Sequence, residues 1–176
     1  MRTWVLTTAA AAALGGCAMS GADMAPMGSS SAQAQLRDAT GRSVANATVT
    51  QQADGLAVAV TAAGMQPGTH GIHVHAVGRC DAPGFTSAGP HWNPTERQHG
   101  LQDPRGPHRG DLPNLIVGAN GQGTLRYLIR GGQLSGGAGA LLDADGAALV
   151  IHARADDMRT DPSGNSGDRI ACGVFR

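Results

Sequence analysis

Residues 45–62, ANATVTQQADGLAVAVTA, alternate between apolar and polar side chains on both sides of a short turn-forming segment. Ala45–Gln51 and Gly55–Ala62 each show the two-residue period of a strand that turns one face toward a core. Two such strands separated by a few polar residues are typical of an antiparallel pair. This stretch therefore predicts that the fold is built on antiparallel β-structure.

Similar segments recur along the rest of the chain. Leu115–Ala119 and Gly123–Ile129 flank Asn120-Gly121, a dipeptide that favours a tight hairpin turn. Further short strands are predicted at residues 33–37, 70–76, 147–153 and 169–175. About eight short strands with turn residues between them indicate an all-β sandwich or barrel.

Length and charge limit the class of protein. The 176 residues are enough for one domain with a buried core, which we place at residues 34–176. Thirteen basic and thirteen acidic residues give a formal net charge of zero, so no general field favours nucleic acid. We therefore expect a single domain that binds no nucleic acid.

The N-terminal region has the features of an export signal followed by a linker. An apolar stretch at residues 4–14 ends in LGGC at 14–17, which resembles a bacterial lipobox. We expect residues 1–16 to be a signal peptide, Cys17 to be lipidated and residues 17–33 to be a flexible tether. The protein would then be periplasmic and anchored to the bacterial outer membrane by lipid alone. An ordinary signal peptide with an incidental cysteine is the alternative.

Export also sets the expected chemistry of the remaining cysteines. Without Cys17, the chain keeps Cys80 and Cys172. In an oxidising compartment such a pair is expected to form a disulfide, and two reduced buried cysteines are the alternative.

Six of the seven histidines follow a spacing typical of a centre for two metal ions. Imidazoles accompanied by one carboxylate suit copper and zinc better than magnesium or calcium. Residues two apart in a strand point to the same side, so His73 and His75 present two imidazoles together. His152 on another predicted strand and His91 complete four nitrogens, the number suited to Cu(II). Histidines scattered without a shared role are the alternative.

The second ion would be bound within the long Gly- and Pro-rich segment 80–113. Its potential ligands are His91, His99, His108 and Asp111. Three nitrogens and one carboxylate oxygen form the closed tetrahedral set of a structural zinc site. Seven residues serve eight ligand positions, so one must bridge the ions, and His91 is the candidate. The seventh histidine, His70, is predicted to be a structural hydrogen-bond partner.

Four segments resemble the characteristic segments of the copper/zinc superoxide dismutases. They are GIHVH at 71–75, AGPHWNP at 88–94, HRGDL at 108–112 and DRIACGV at 168–174. The N-terminal region and GRCDAP at 78–83 resemble the exported bacterial branch of that family. The resemblance covers the predicted domain and implies a Greek-key, immunoglobulin-like β-sandwich or barrel with its metal centre on the outer face.

The resemblance also implies roles for individual residues. Copper would be bound by His73, His75, His91 and His152, and zinc by His91, His99, His108 and Asp111. Arg169 would attract and orient the superoxide anion. Asp156 would join a copper ligand to a zinc ligand and fix their orientation, with the neighbouring Asp157 an ordinary surface charge. The implied activity is dismutation of superoxide to dioxygen and hydrogen peroxide by a copper redox cycle, with His91 carrying a proton and zinc as the structural and tuning ion.

Some alternatives remain open at this stage. Residues 158–167 look shorter than the corresponding loop of eukaryotic relatives and contain no lysine. Arg154 and Arg159 are candidates for the charge that guides the substrate, and each is equally compatible with a plain surface role. A non-catalytic copper or zinc binding or delivery protein is the alternative function, although the complete ligand set and Arg169 argue against it. The scattered apolar surface residues are compatible with a monomer or a homodimer.

Overall fold

Nine antiparallel β-strands form one sheet that curves into a nearly closed barrel in the computed structural model, which describes residues 1, 30–137 and 139–176. The strands are β1 (Ser31–Asp38), β2 (Ser43–Gln52), β3 (Gly55–Ala63), β4 (Gly68–His70), β5 (Ile72–His75), β6 (Leu115–Val117), β7 (Gln122–Arg130), β8 (Ala148–His152) and β9 (Arg169–Val174). A 3-10 turn at Thr86–Ala88 is the only helical element of the described residues. The predicted all-β architecture is confirmed.

The sheet begins earlier than the sequence predicts. β1 starts at Ser31, inside the predicted tether at 17–33, because alternate side chains from Ala32 to Leu36 enter the core. The predicted signal peptide, Cys17 and most of the tether lie outside the described residues. No helix of the described part has both the length and the apolar character needed to cross a membrane.

The paired strands of residues 45–62 lie in the middle of the sheet. In their register Val49 faces Val58 and Ala47 faces Val60, and all four side chains are buried. Long connections carry the chain from β5 to β6 and from β7 to β8, so strands adjacent in sequence are often apart in the sheet, as in a Greek key. The alternating pattern therefore supplies the buried core. The residues on the outer face belong to the strands that enclose this core.

The chain itself joins the two ends of the sheet. In the order β4-β6-β7-β3-β2-β1-β9-β8-β5, the end strands β4 and β5 are separated in sequence only by Gly71. The single strand predicted at 70–76 is therefore two strands, which accounts for nine strands instead of about eight. Only glycine fits at this bend, because a Cβ on Gly71 would lie 2.8 Å from the Cβ of Ser166.

The long loop after β5 covers the free edge of that strand. Val74 donates its N–H to the Gly110 carbonyl at 2.9 Å and accepts the N–H of Trp92 at 2.8 Å. Gly110 also donates to the Trp92 carbonyl at 2.8 Å, so two parts of the loop are tied to one residue of β5. A Cβ on Gly110 would lie 2.3 Å from the Val74 oxygen, which requires glycine here. Main-chain hydrogen bonds thus hold the loop that contains most of the predicted zinc ligands.

A disulfide makes a second attachment between this loop and the sheet. Cys80 and Cys172 are bonded, with their Cα atoms 5.6 Å apart, as the cysteine count predicts. Because Cys172 belongs to β9, the bond fixes the start of the loop beside the strand that begins with Arg169.

Candidate metal centre

All seven predicted ligand residues are buried, and they come from β5, from the loop that covers its edge and from the end of β8. They are His73, His75, His91, His99, His108, Asp111 and His152. Isolated backbone bridges place His91 opposite His75 and Asp111 opposite His73. β5 and the loop that covers it therefore bring the two predicted ligand sets side by side.

The predicted copper ligands converge on one point. His73, His75, His91 and His152 each offer a ligand atom within 4.8 Å of the others. Three of their ring nitrogens, Nδ1 of His73 and Nε2 of His75 and His152, are buried without a hydrogen-bond partner among the described residues. Buried polar atoms without partners are costly and rare, so three converging ones fit the lone-pair donors of a metal site.

The opposite nitrogens of the same three rings are held by hydrogen bonds. Each donates outward: His73 Nε2 to Asp156 at 2.7 Å, His75 Nδ1 to the Gly89 carbonyl at 2.9 Å and His152 Nδ1 to the Gly167 carbonyl at 3.1 Å. These bonds place the proton on the outer nitrogen and leave the inner nitrogen free to bind a metal.

Burial keeps these imidazoles uncharged. It lowers the pKa of His73 to about 3, that of His75 to about 2 and that of His152 to about 4, and the neighbouring His91 adds to each effect. The pKa of His91 is also lowered, again chiefly by burial. At neutral pH the four rings are therefore neutral, the form in which histidine binds metals.

The predicted zinc ligands form a compact group around one carboxylate oxygen. The Oδ1 atom of Asp111 lies 3.0 Å from Nδ1 of His91, 3.0 Å from Nδ1 of His99 and 3.3 Å from Nδ1 of His108. The Nδ1 atoms of His108 and His91 are 3.3 Å apart. Ligand atoms arranged tetrahedrally about 2.0 Å from zinc are separated by about 3.3 Å, so this spacing fits a zinc ion.

His73 also lies near the predicted zinc ligands, but both of its ring nitrogens have other roles. It brings a ligand atom within 4.8 Å of those of His91, His99 and Asp111. Its Nε2, however, is hydrogen-bonded to Asp156, and its Nδ1 belongs to the converging copper set. The 3.3 Å contacts of His108 Nδ1 with His91 and Asp111 keep His108 the predicted fourth zinc ligand.

His91 occupies the position that a bridging ligand requires. Its Nδ1 faces Asp111, while its ring centroid is 4.1 Å from that of His73 on one side and 5.3 Å from that of His108 on the other. The remaining nitrogen, Nε2, is thus available to the copper set.

Two buried carboxylates organise the centre. Asp156 contacts Nε2 of His73 at 2.7 Å and Nε2 of His99 at 3.1 Å, so it joins the two sets as the resemblance implies. Burial disfavours the charged form of both carboxylates and by itself would raise their pKa values. The hydrogen bonds from the histidines have the larger effect and lower the pKa of Asp111 and of Asp156 well below the usual range. Burial likewise opposes charge on His99, yet Asp111 and Asp156 together raise its pKa to about 9. Both carboxylates therefore stay ionised and are suited to neighbouring cations.

Arg169 lies next to the copper set. Its guanidinium donates to the Phe85 carbonyl and to the Gly89 carbonyl, each at 2.8 Å. Arg169, His91 and His152 line one cavity of about 680 Å³. Burial lowers the pKa of Arg169, but a guanidinium remains charged at any ordinary pH. A small anion that enters this cavity thus meets a fixed positive charge beside the copper ligands.

Comparison with known proteins agrees with this geometry. The sequence model of the copper/zinc superoxide dismutases matches residues 43–175. The chain belongs to the copper/zinc superoxide dismutase family. The family uses copper and zinc, and the two buried ligand groups can hold those ions.

Bacterial members of the family are similar over most of their length. The superoxide dismutase-like protein YojM of Bacillus subtilis is 42% identical over 149 residues, which are 80% of this chain and 74% of that protein. The Cu-Zn superoxide dismutase of Caulobacter vibrioides is 39% identical over 149 residues, which are 83% and 86% of the two chains. The crystal structure of a superoxide dismutase-like protein from Bacillus subtilis superposes with a TM-score of 0.76 at 39% identity, covering 81% of this chain and 96% of that one.

The remaining residues singled out in the sequence have clear positions in this family member. His70 contacts the His152 carbonyl at 2.9 Å through Nδ1 and the Gln66 carbonyl at 3.1 Å through Nε2, consistent with a structural role. Arg159 donates to the Gln102 side chain. Among the described residues that line the copper cavity, neither Arg154 nor Arg159 is present.

Two residues that support the site were missed by the sequence analysis. Asn114 exchanges hydrogen bonds with the main chain of Asp156, at 2.9 Å to its carbonyl and 2.8 Å from its N–H. Asp161 accepts the N–H of His99 at 2.7 Å and lies 3.7 Å from Nε2 of His108. Both are polar residues adjacent to proline, a pattern that indicates a turn and gives no sign of the partner across the loop.

Proposed function

We propose that this protein catalyses the dismutation of superoxide to dioxygen and hydrogen peroxide. The proposal rests chiefly on one observation: the inward nitrogens of His75 and His152 have no hydrogen-bond partner among the described residues, and they lie beside a cavity that Arg169 also lines. A redox metal held there would meet small anions drawn in by the guanidinium. Because superoxide is a small anion, this reaction needs no pocket for a larger substrate.

Arg169 binds and orients the anion. Its two hydrogen bonds to main-chain carbonyls fix the guanidinium, so little conformational freedom is lost when an anion binds. One of those carbonyls, of Gly89, also accepts the N–H of His75. The anion-binding charge and a copper ligand are therefore positioned by the same peptide group.

The metals and His91 supply the chemistry and the proton. His73, His75, His91 and His152 would hold copper, which would supply the one-electron exchange needed to convert two superoxide anions and two protons to dioxygen and hydrogen peroxide. His91 lines the cavity, and because its Nδ1 faces Asp111, Nε2 is the atom that can hold one of those protons next to the anion. His99, His108 and Asp111, together with His91, would hold zinc as a structural ion, and Asp111 contacts Nδ1 of His91 and keeps that ring in place.

Loss of one copper ligand tests the proposal. The His152→Ala variant should bind zinc normally but lose at least half of its copper and nearly all dismutase activity. The His70→Gln variant is a useful control because His70 contacts only carbonyls and should keep the metals. Equal activity in the wild type and the His152→Ala variant would refute the assignment.

The alternative is a protein on this fold that binds or delivers copper and zinc without catalysis. One similar protein, YojM of Bacillus subtilis, is named superoxide dismutase-like, and this name gives the alternative its support. The complete copper set and Arg169 favour the enzyme. One copper and one zinc per chain with no acceleration of superoxide decay would favour the alternative.

We also propose that the protein is exported to the periplasm and anchored by lipid at Cys17. The sequence at 14–17 supports a lipobox, and a disulfide between Cys80 and Cys172 suits an oxidising compartment. In a bacterial host the wild type should fractionate with membranes and incorporate labelled fatty acid, and the Cys17→Ser variant should do neither. Equal labelling of both would contradict the anchor.

A further inference from the structure

A second cavity lies between the loop that contains the predicted zinc ligands and the end of β7. Its volume is about 540 Å³, and its polar lining includes Arg97, Arg109, Arg130, Tyr127 and Thr95. The three arginines come from separate places, two from the loop and one from the end of β7. The cavity is distinct from the copper cavity, with which it shares only His108.

Two of the three arginines of this cavity form no ion pair with the described residues. Arg130 has an ion pair with Asp54 at 3.3 Å, with both side chains more than half exposed. Within the described part of the chain, Arg97 and Arg109 have no carboxylate within 4.0 Å. Asp111 also lines the cavity, but its carboxylate already contacts three zinc ligands. On a chain of zero net charge, this is a local concentration of cations.

One of the guanidinium groups is held in place before any ligand arrives. Arg109 donates through Nη1 to the Arg130 carbonyl at 2.7 Å. The following residue, Gly131, has φ +65° and no side chain, and a Cβ there would lie 3.1 Å from the same Nη1 atom. The backbone thus leaves room for the guanidinium and fixes its direction, which reduces the entropy cost of binding an anion.

We propose that this cavity binds a phosphate group. Arginine is the residue best suited to phosphate because its planar fork donates two parallel hydrogen bonds. The hydroxyls of Tyr127 and Thr95 add neutral donors. Pro107 and Leu128 also line the cavity and give the organic part of a phosphate ester an apolar surface. The ligand is therefore a phosphate ester, either free in solution or the headgroup of an anionic lipid.

Titration of the copper- and zinc-loaded protein with inorganic phosphate at low ionic strength, followed by calorimetry, tests the site. Arg109→Gln should weaken binding about tenfold or more, the loss of one charge-assisted hydrogen bond. Arg97→Gln should also weaken it, and this exposed side chain makes no hydrogen bond or ion pair with the described residues. Arg37→Gln, on β1 and outside the cavity, should change the affinity less than about twofold. Unchanged dismutase activity and melting temperature would show that the Arg97→Gln variant is intact.

Vesicles distinguish the two sources of phosphate. Sedimentation with phosphatidylglycerol vesicles but not phosphatidylcholine vesicles, lost in the Arg97→Gln and Arg109→Gln variants, would identify a lipid headgroup. Binding of inorganic phosphate without vesicle binding would identify a free ester. The proposal fails if the wild type binds neither, or if binding survives both substitutions and is lost in Arg169→Gln, which would place the anion in the copper cavity.

Discussion

At the scale of single residues, the metal centre depends on where each imidazole is held. The carbonyls of Gly89 and Gly167 and the carboxylate of Asp156 each accept a hydrogen bond from one predicted copper ligand. These acceptors decide which nitrogen faces the metal, and burial keeps the rings neutral. Single substitutions should therefore distinguish residues that are needed to bind the metals from residues that are needed only for activity.

Arg169→Gln should separate binding of the substrate from binding of the metals. The variant keeps every ligand, so its copper and zinc content should be unchanged. Its kcat/KM should fall about tenfold or more and depend less on ionic strength, because the charge that attracts the anion is lost. Superoxide decay measured over a range of salt concentrations checks this. A salt dependence equal to that of the wild type would show that another charge guides the substrate.

Asp156 and Asp157 form a matched pair of neighbouring carboxylates. Asp156 is buried between His73 and His99, whereas Asp157 is exposed and accepts hydrogen bonds from its own loop. Asp156→Asn should weaken zinc binding about 10- to 100-fold, the effect typical of losing an outer partner of a ligand. Asp157→Asn should change it little. Competition with a coloured chelator measures both, and equal effects would contradict the assigned roles.

At the scale of elements, β5 and the covering loop act as one unit. Gly110 lies where a Cβ would be 2.3 Å from the Val74 oxygen. Gly110→Ala should push the loop off the strand, lower the free energy of unfolding by about 2 kcal/mol or more and reduce metal content. Gly84→Ala is the control, because the nearest atom to its Cβ would be 3.9 Å away. Denaturant unfolding measures the loss of stability in each variant. Similar losses in the two variants would contradict a special role for Gly110.

The turn between β1 and β2 should be sensitive to acid. The Thr40 hydroxyl, together with N–H groups of Thr40 and Arg42, lowers the pKa of Asp38 from 3.8 to about 2. Since the pKa falls on folding, the ionised carboxylate stabilises the folded protein above about pH 4, and this is lost toward pH 2. The wild type should unfold at higher denaturant concentration than Asp38→Asn at pH 7, with the difference shrinking by pH 3. A difference independent of pH would exclude this carboxylate as its source.

At the scale of the whole molecule, much of the fold could be predicted because its signals are local. The alternation in residues 45–62 predicts a strand pair, and the histidine spacing predicts which side chains share a site. The break at Gly71 was missed because it depends on contact with Ser166, far along the chain. Asn114 and Asp161 were missed for the same reason, since their partners are main-chain groups of another loop.

The order of the long loop is another property of the whole molecule. Its Gly- and Pro-rich sequence indicates little secondary structure, and metal binding alone could account for its order. The structure adds main-chain bonds to Val74 and the disulfide from Cys80 to β9. The loop is therefore fixed at several points apart from its metal ligands.

Copper and zinc bound at this site are together expected to give the protein superoxide dismutase activity. The most direct test is the decay of superoxide, followed by fast kinetics, with the protein loaded with copper and zinc and with the same protein loaded with zinc alone. We expect rapid catalytic decay with both metals and none with zinc alone, because only copper can exchange electrons. One bound copper per chain without acceleration of superoxide decay would contradict the claim.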